Sequence, residues 1–155
     1  RFAAMPKRKV GEAGLDWSSL TFAPQKTHGH VRCVWSEGKG WSKAEFVASQ
    51  TVELNIWANV LHYGQSIFEG QKVFHCKDGK VRIFNDALNY ERLISGCRRL
   101  MLPELPLEDF QTAIDLAVRE NIDFLPPYGS GCSIYVRPVL FGSSDQISLH
   151  PATEA

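Results

Sequence analysis

Two polar side chains in an apolar segment near the C-terminal end of the chain could bind an anion. In residues 132–141, a repeat of two places the phenol of Tyr135 and the guanidinium of Arg137 on one face, while the other face is apolar. An arginine stays charged and presents a rigid fork of donors, which suits a carboxylate or a phosphate. An exposed or salt-bridged strand arginine is the alternative interpretation.

A second extended segment shows a similar arrangement. Within residues 66–76, the same repeat places Phe68, Gly70 and Lys72 on one face. A glycine between an aromatic residue and a lysine allows a ligand or another backbone segment to approach closely. A glycine that merely fits the packing is the alternative.

Arg92 is the third candidate and is predicted to lie on a helix that also carries Arg98 and Arg99. As a phosphate anchor it would form charge-assisted hydrogen bonds, each contributing roughly 1.5–3 kcal/mol. A solvated helix face is the alternative. Other signatures are weak: the sequence has no Walker loop, and His28 and His30 alone do not predict a metal site.

Strands and two helices are predicted to position these residues. Residues 31–36 are expected to form a strand. Residues 66–76 and 80–84 flank an Asp-Gly turn, which predicts an antiparallel hairpin. Residues 132–141 are expected to form a last strand, in which Pro138 indicates an edge or a bulge.

The first helix should begin at a cap formed by Asn85 or Asp86, and Pro103 and Pro106 should end it. The second should begin at Leu107 with acidic residues in its first turn. The inward face of the first helix is expected to consist of Tyr90, Leu93, Ile94, Cys97 and Met101. That of the second is expected to consist of Phe110, Ala113, Ile114, Ala117, Val118 and Asn121. This order of elements predicts an α+β fold with an antiparallel sheet and two helices.

Composition limits the class of protein. The chain has 155 residues, 44% of them hydrophobic, with 17 basic and 17 acidic side chains. This predicts a single soluble globular domain, and the zero net charge gives no support for a nucleic-acid or membrane partner.

The four cysteines form no C-x-x-C pair and no secretory signal is visible, so we expect free thiols in a cytoplasmic or mitochondrial protein that is not secreted. The basic N-terminal stretch could be the end of a targeting peptide, and residues 1–19 are expected to be disordered.

Several motifs with matching gaps resemble the branched-chain amino acid aminotransferases, which are fold-type IV enzymes dependent on pyridoxal 5'-phosphate. The motifs are residues 61–70 (LHYGQSIFEG), 89–93 (NYERL), 98–103 (RRLMLP) and 133–142 (SIYVRPVLFG). The resemblance runs from about residue 20 to the end. It implies that residues 20–155 form an incomplete small N-terminal domain of the fold that is also found in D-amino acid aminotransferases.

The resemblance also implies roles for individual residues. Arg92 would hold the cofactor phosphate. Phe68, Tyr135 and Arg137 would line the substrate pocket, with Lys72 and, less directly, Phe22 beside it. Other pocket residues would reach the site of a neighbouring subunit in a homodimer: Tyr63, Ile147 and Leu149.

The resemblance implies a ping-pong amino transfer between leucine, isoleucine or valine and 2-oxoglutarate. No catalytic residue is assigned in this chain, because the Schiff-base lysine of that family belongs to a second domain, expected beyond Ala155. The chain is therefore expected to be a fragment that does not transaminate alone. Two alternatives stay open: a related fold-type IV aminotransferase acting on another amino acid in secondary metabolism, and a stand-alone domain that is a binding module without the cofactor.

Overall fold

The computed structural model describes residues 8–147 and 149–155, which contain nine short strands and three α-helices. The strands are β1 (His30–Arg32), β2 (Trp35–Ser36), β3 (Gly40–Trp41), β4 (Glu45–Val47), β5 (Ser66–Phe68), β6 (Gln71–His75), β7 (Val81–Ile83), β8 (Ile134–Val136) and β9 (Val139–Phe141). The helices are α1 (Asn59–Tyr63), α2 (Asp86–Leu100) and α3 (Leu107–Glu120), and a 3-10 turn spans Ile122–Phe124. None of the helices in this part of the chain has the length and apolar character needed to cross a bilayer.

All the strand pairs are antiparallel. Strand β6 lies between β7 and β8, and the remaining pairs are β5 with β9, β1 with β4, and β2 with β3. The predicted α+β class with antiparallel pairing is confirmed, although the strands form several small sheets and α1 is an additional short helix. The core packs α2 and α3 against β6, with Cys97, Leu125 and Val73 completely buried.

Helix α2 confirms the predicted span and most of the predicted inward face. Leu93, Ile94 and Cys97 are buried. Two details of the prediction are wrong. Asn85 has a left-handed backbone and its side chain makes no capping hydrogen bond. Met101 is 65% exposed, because the backbone turns left-handed there and takes the residue off the helical repeat.

Helix α3 begins directly after Pro106 and buries Phe110, Ile114 and Val118, as its periodicity predicts. Its last predicted inward residue, Asn121, has a polar role. The Asn121 amide donates to Ala117 O at 2.9 Å, and its oxygen accepts a hydrogen bond from the His28 backbone N–H at 2.9 Å. Asn121 therefore joins the end of α3 to the segment that leads into β1.

We expect Asn121→Ala to lower the free energy of unfolding by about 1–3 kcal/mol, because it leaves the partly buried His28 N–H without an acceptor. Chemical denaturation measures the change. Arg119→Ala is the matched control on the same helix, since Arg119 forms only an exposed pair with Asp115 and should have little effect. Equal losses in the two variants would contradict the role of Asn121.

The predicted long strands are divided, which corrects three boundaries. Residues 31–36 form β1 and β2 with a gap between them. The antiparallel hairpin predicted at the Asp-Gly turn is confirmed for β6 and β7, but β5, at the start of residues 66–76, pairs with β9 instead. Residues 132–141 form β8 and β9, which are separated at Pro138. A proline has no N–H to donate, so the ladder cannot continue through it.

The first residues of the described chain contact helix α3 and the turn after it. Arg8 Nη1 donates to Glu120 O at 2.9 Å, and Ala13 N–H donates to Asp123 O at 3.1 Å. Residues 1–7, which belong to the segment predicted to be disordered, lie outside the described residues. All four cysteines are free, as expected, and burial raises the pKa of Cys97 to about 11, with Glu104 adding to the effect.

Candidate functional site

The candidate site lies where two antiparallel segments are both interrupted, one between β5 and β6 and the other between β8 and β9. Strand β5 pairs with β9, and β6 pairs with β8, in the same register on both sides of the break. Across the break itself, the Glu69 N–H donates to Pro138 O at 2.9 Å. The break leaves Glu69 and Gly70 facing Arg137 and Pro138, in the register of the pairs on either side.

One face of this sheet gathers the residues singled out on the two predicted strands. Lys72 lies directly opposite Tyr135. Arg137 donates to the Tyr135 hydroxyl from Nη2 at 2.9 Å and from Nε at 3.2 Å. Its guanidinium carbon lies 4.4 Å from the centroid of the Phe68 ring, a cation–π contact. The structure thus brings together an arginine fork, a phenol and an aromatic ring.

Gly70 allows a close approach, and the group that approaches it in this structure is the side chain of Tyr135, where the sequence suggested a ligand or another backbone segment. A Cβ atom added there would lie 2.1 Å from the Tyr135 hydroxyl and 2.7 Å from the ring carbon that carries it. The ring therefore rests directly on the Gly70 backbone. Phe22 approaches the same ring edge-on with centroids 5.6 Å apart, and is itself 85% exposed. Phe22 thus lies against the same cluster.

Arg92 lies on α2 and is held by a buried carboxylate that the sequence patterns do not predict. Glu69 is 3% exposed, and its oxygens accept hydrogen bonds from Arg92 Nε at 2.5 Å and Nη2 at 2.6 Å. Asn89, one turn earlier on α2, donates to Glu69 Oε2 at 2.9 Å and to Gly70 O at 3.1 Å. The spacing of Asn89 and Arg92 puts both on one side of the helix, which is the signal that could have revealed their shared partner.

The charges of Glu69 and Arg92 offset each other. Burial raises the pKa of Glu69, but hydrogen bonds from Arg92, Asn89 and the Gly70 N–H outweigh it and hold that pKa below its ordinary value. Glu69 in turn raises the pKa of Arg92, whose side chain is 69% exposed. Within the described residues, no side chain or backbone group accepts a hydrogen bond from Arg92 Nη1. That nitrogen can therefore donate to an external anion.

Three candidate residues lie apart from this cluster. Tyr63 ends α1 and its ring is tilted against His62, while Ile147 and Leu149 occupy the loop after β9. Tyr63 and Ile147 are about half exposed, and Leu149 is 97% exposed. Within the described part of the chain, no hydrogen bond or ring contact joins these three to Tyr135 or Arg137.

The sequence of this chain is similar to those of known aminotransferases. The chain is 38% identical over 140 residues to a branched-chain-amino-acid aminotransferase of Haemophilus influenzae, covering 90% of this chain and 40% of that protein. It is 39% identical over 140 residues to the transaminase AMT5 of Alternaria alternata, covering 89% and 38%. The chain therefore spans about two fifths of the length of these relatives. No family model matches it.

Among solved structures, the fold is similar to that of a branched-chain aminotransferase from the thermophilic archaeon Thermoproteus uzoniensis, solved with norvaline. The TM-score is 0.56 at 24% identity, covering 77% of this chain and 36% of that one. It is also similar to the T.th. branched-chain amino acid aminotransferase complexed with N-(5'-phosphopyridoxyl)-L-glutamate, with a TM-score of 0.58 at 21% identity, covering 81% and 37%. These likenesses establish the fold.

Proposed function

This chain is a homologue of the branched-chain aminotransferases, and we propose that it forms the part of such an enzyme that binds the cofactor phosphate and the substrate carboxylate. The observation that supports this most directly is the break in the strand pairing, where two arginines are anchored, Arg92 from helix α2 and Arg137 from the segment between β8 and β9. Arg92 is held by Glu69, and Arg137 is held by Tyr135. Two separately anchored guanidinium groups suit a cofactor phosphate and a substrate carboxylate.

Pyridoxal 5'-phosphate is the proposed cofactor, and the residues present fit its phosphate. Arg92 has an exposed guanidinium whose Nη1 is directed away from Glu69, which is the donor that a phosphate requires. When bound, the cofactor supplies the electron sink for breaking bonds at the amino acid α-carbon. We propose that the lysine that binds this cofactor lies beyond Ala155, so that the chain alone would not transaminate.

The substrates proposed are branched-chain L-amino acids and 2-oxoglutarate, which exchange the amino group in two half-reactions. Arg137 would orient a carboxylate by its fork, and Tyr135 would hold that fork in place. Phe68 and Phe22 would exclude water from it, and Lys72 would add positive charge on the same face. These roles are supported by the contacts of the aromatic side chains with Tyr135 and Arg137.

A homodimer is also proposed. Tyr63, Ile147 and Leu149 are too exposed to serve the core. In a dimer, these side chains would line the substrate pocket of the partner. A related aminotransferase with another substrate is the second candidate, because the fungal transaminase is as similar to this chain as the branched-chain enzyme is.

The test is an amino-transfer assay of the full protein encoded by the open reading frame that contains this chain. We expect activity with leucine, isoleucine and valine in the presence of added cofactor, and little with aromatic or D-amino acids. Activity with another amino acid alone would favour the second candidate. A stop codon directly after Ala155 would contradict the proposal, because the chain then lacks a suitable lysine.

We expect Arg137→Lys to raise the KM for 2-oxoglutarate roughly tenfold, since lysine keeps the charge but loses the fork that binds a carboxylate through two hydrogen bonds. Steady-state kinetics of the full enzyme measures the effect. Arg82→Lys is a matched control, because Arg82 forms a similar fork with Asp78 on the exposed hairpin. An unchanged KM in Arg137→Lys would exclude Arg137 as the carboxylate ligand.

A further inference from the structure

We infer that Glu69 is a positioning residue, whose buried carboxylate holds the Arg92 guanidinium in the orientation that binds phosphate. The inference rests on the proposed function, because it assumes that Arg92 is the phosphate ligand. Glu69 is not among the site residues predicted from the sequence. Its role would be to support the binding of an anion, although it is itself negatively charged.

Arg92 and Glu69 form a bidentate ion pair. One oxygen of Glu69 accepts a hydrogen bond from Arg92 Nε and the other accepts one from Nη2, so the two bonds fix the orientation of the guanidinium group. Two of its donors are thereby used, and Nη1 and the second proton of Nη2 are directed away from the carboxylate. An arginine that is 69% exposed would otherwise sample many rotamers, and ordering it would oppose binding.

Glu69 is itself fixed by two further donors. Asn89 and the Gly70 N–H both bond to Oε2, at 2.9 Å and 3.3 Å. The carboxylate lies at the break in the sheet, where Gly70 lies outside the paired strands and needs an acceptor for its N–H. The same group that completes the backbone hydrogen bonding at the break therefore orients the arginine.

Electrostatics alone predicts the opposite effect on phosphate. A negative charge next to a phosphate site repels the ligand, so its removal would strengthen binding if Glu69 had no positioning role. If the loss of orientation is the larger effect, removing the charge weakens binding. The sign of the change separates the two cases.

The chain also contains a matched control pair. Arg98 donates to Glu104 from Nε and Nη2, both at 2.9 Å, in the same bidentate geometry. Glu104, however, has 46% of its side chain exposed. Glu104→Gln thus removes a carboxylate from an equivalent pair elsewhere on the surface.

The experiment titrates the full protein encoded by the open reading frame, freed of cofactor, with inorganic phosphate and follows the Nε–H signal of Arg92 by NMR. It yields the Kd and the exchange of that proton with water. We expect Glu69→Gln to raise the Kd about tenfold and to lose protection of the Arg92 Nε–H, with the Glu104→Gln variant unchanged. Arg92→Lys should also raise the Kd, although the charge is kept. Because the Arg92 side chain is exposed, this variant should fold, and it tests the inference if Glu69→Gln does not fold.

Equal or tighter phosphate binding by Glu69→Gln would overturn the inference, as would an unchanged Kd in Arg92→Lys. If Arg92→Ala still loses binding in that case, the proposed role of Arg92 stands and only the positioning role fails. A wild-type full protein whose Arg92 signal does not respond to phosphate would overturn both together.

Discussion

Replacing Arg92 by alanine is expected to lower the melting temperature of the chain by about 5 °C at pH 7 and by little or nothing near pH 3. The variant leaves Glu69 at 3% exposure without the partner that holds both of its oxygens. An unpaired buried carboxylate is destabilising as long as it is ionised. The size of the loss should therefore follow the protonation of Glu69.

The direction of the pH dependence follows from the pKa of Glu69. In the wild type that pKa is held below its ordinary value, because hydrogen bonds from Arg92, Asn89 and Gly70 outweigh the effect of burial. The pair therefore stabilises the fold above the ordinary carboxyl pKa, and this contribution is lost as the pH falls through the folded value. Without Arg92, burial favours the neutral acid, so the deficit of the variant shrinks as Glu69 takes up a proton.

Thermal unfolding followed by circular dichroism from about pH 3 to about pH 8 measures this difference. Arg98→Ala is the control, because Glu104 loses a similar fork but remains in contact with solvent. Its effect should be much smaller at every pH. A deficit in Arg92→Ala that does not change between the acidic and the neutral end of this range would show that the charge of Glu69 is not its cause.

Gly70→Ala is expected to destabilise the chain by about 1–3 kcal/mol and to displace Tyr135 from Arg137. The new methyl group would lie 2.1 Å from the Tyr135 hydroxyl, so the Tyr135 side chain would have to turn away from Gly70. Since the phenol accepts both hydrogen bonds from the Arg137 guanidinium, the carboxylate-binding fork would lose its orientation as well. In the full enzyme the KM for 2-oxoglutarate should rise roughly tenfold.

A double-mutant cycle tests the cause. In a Tyr135→Ala background the ring is absent, so Gly70→Ala should then cost little, and the difference between the two backgrounds measures the contact. The same loss of stability in both backgrounds would attribute the effect to the Gly70 backbone instead of to the ring.

The parts of the fold that could be predicted from the sequence are those with a regular repeat of apolar and polar residues. The apolar repeat of α3 correctly predicts that Phe110, Ile114 and Val118 are buried, because that repeat depends only on local geometry. The shared face of Tyr135 and Arg137 follows in the same way from strand alternation. Strand partners follow from the local pattern only where a short turn joins them. The Asp-Gly turn correctly predicts the pairing of β6 with β7, whereas β5 pairs with β9, which is distant in the sequence.

The residue pattern predicts the α+β class, the two long helices, the two faces that carry candidate residues, and a family resemblance. The pairing of Glu69 with Arg92 and the contact of Tyr135 with Gly70 follow only from the packing of segments that are distant in the sequence. Both depend on the break in strand pairing at Pro138. Because a proline has no N–H to donate, the backbone ladder is interrupted there, and Glu69 and Gly70 on the opposite segment make other contacts. Such a consequence needs the pairing register, which arises from contacts between distant segments and not from the local pattern of either one.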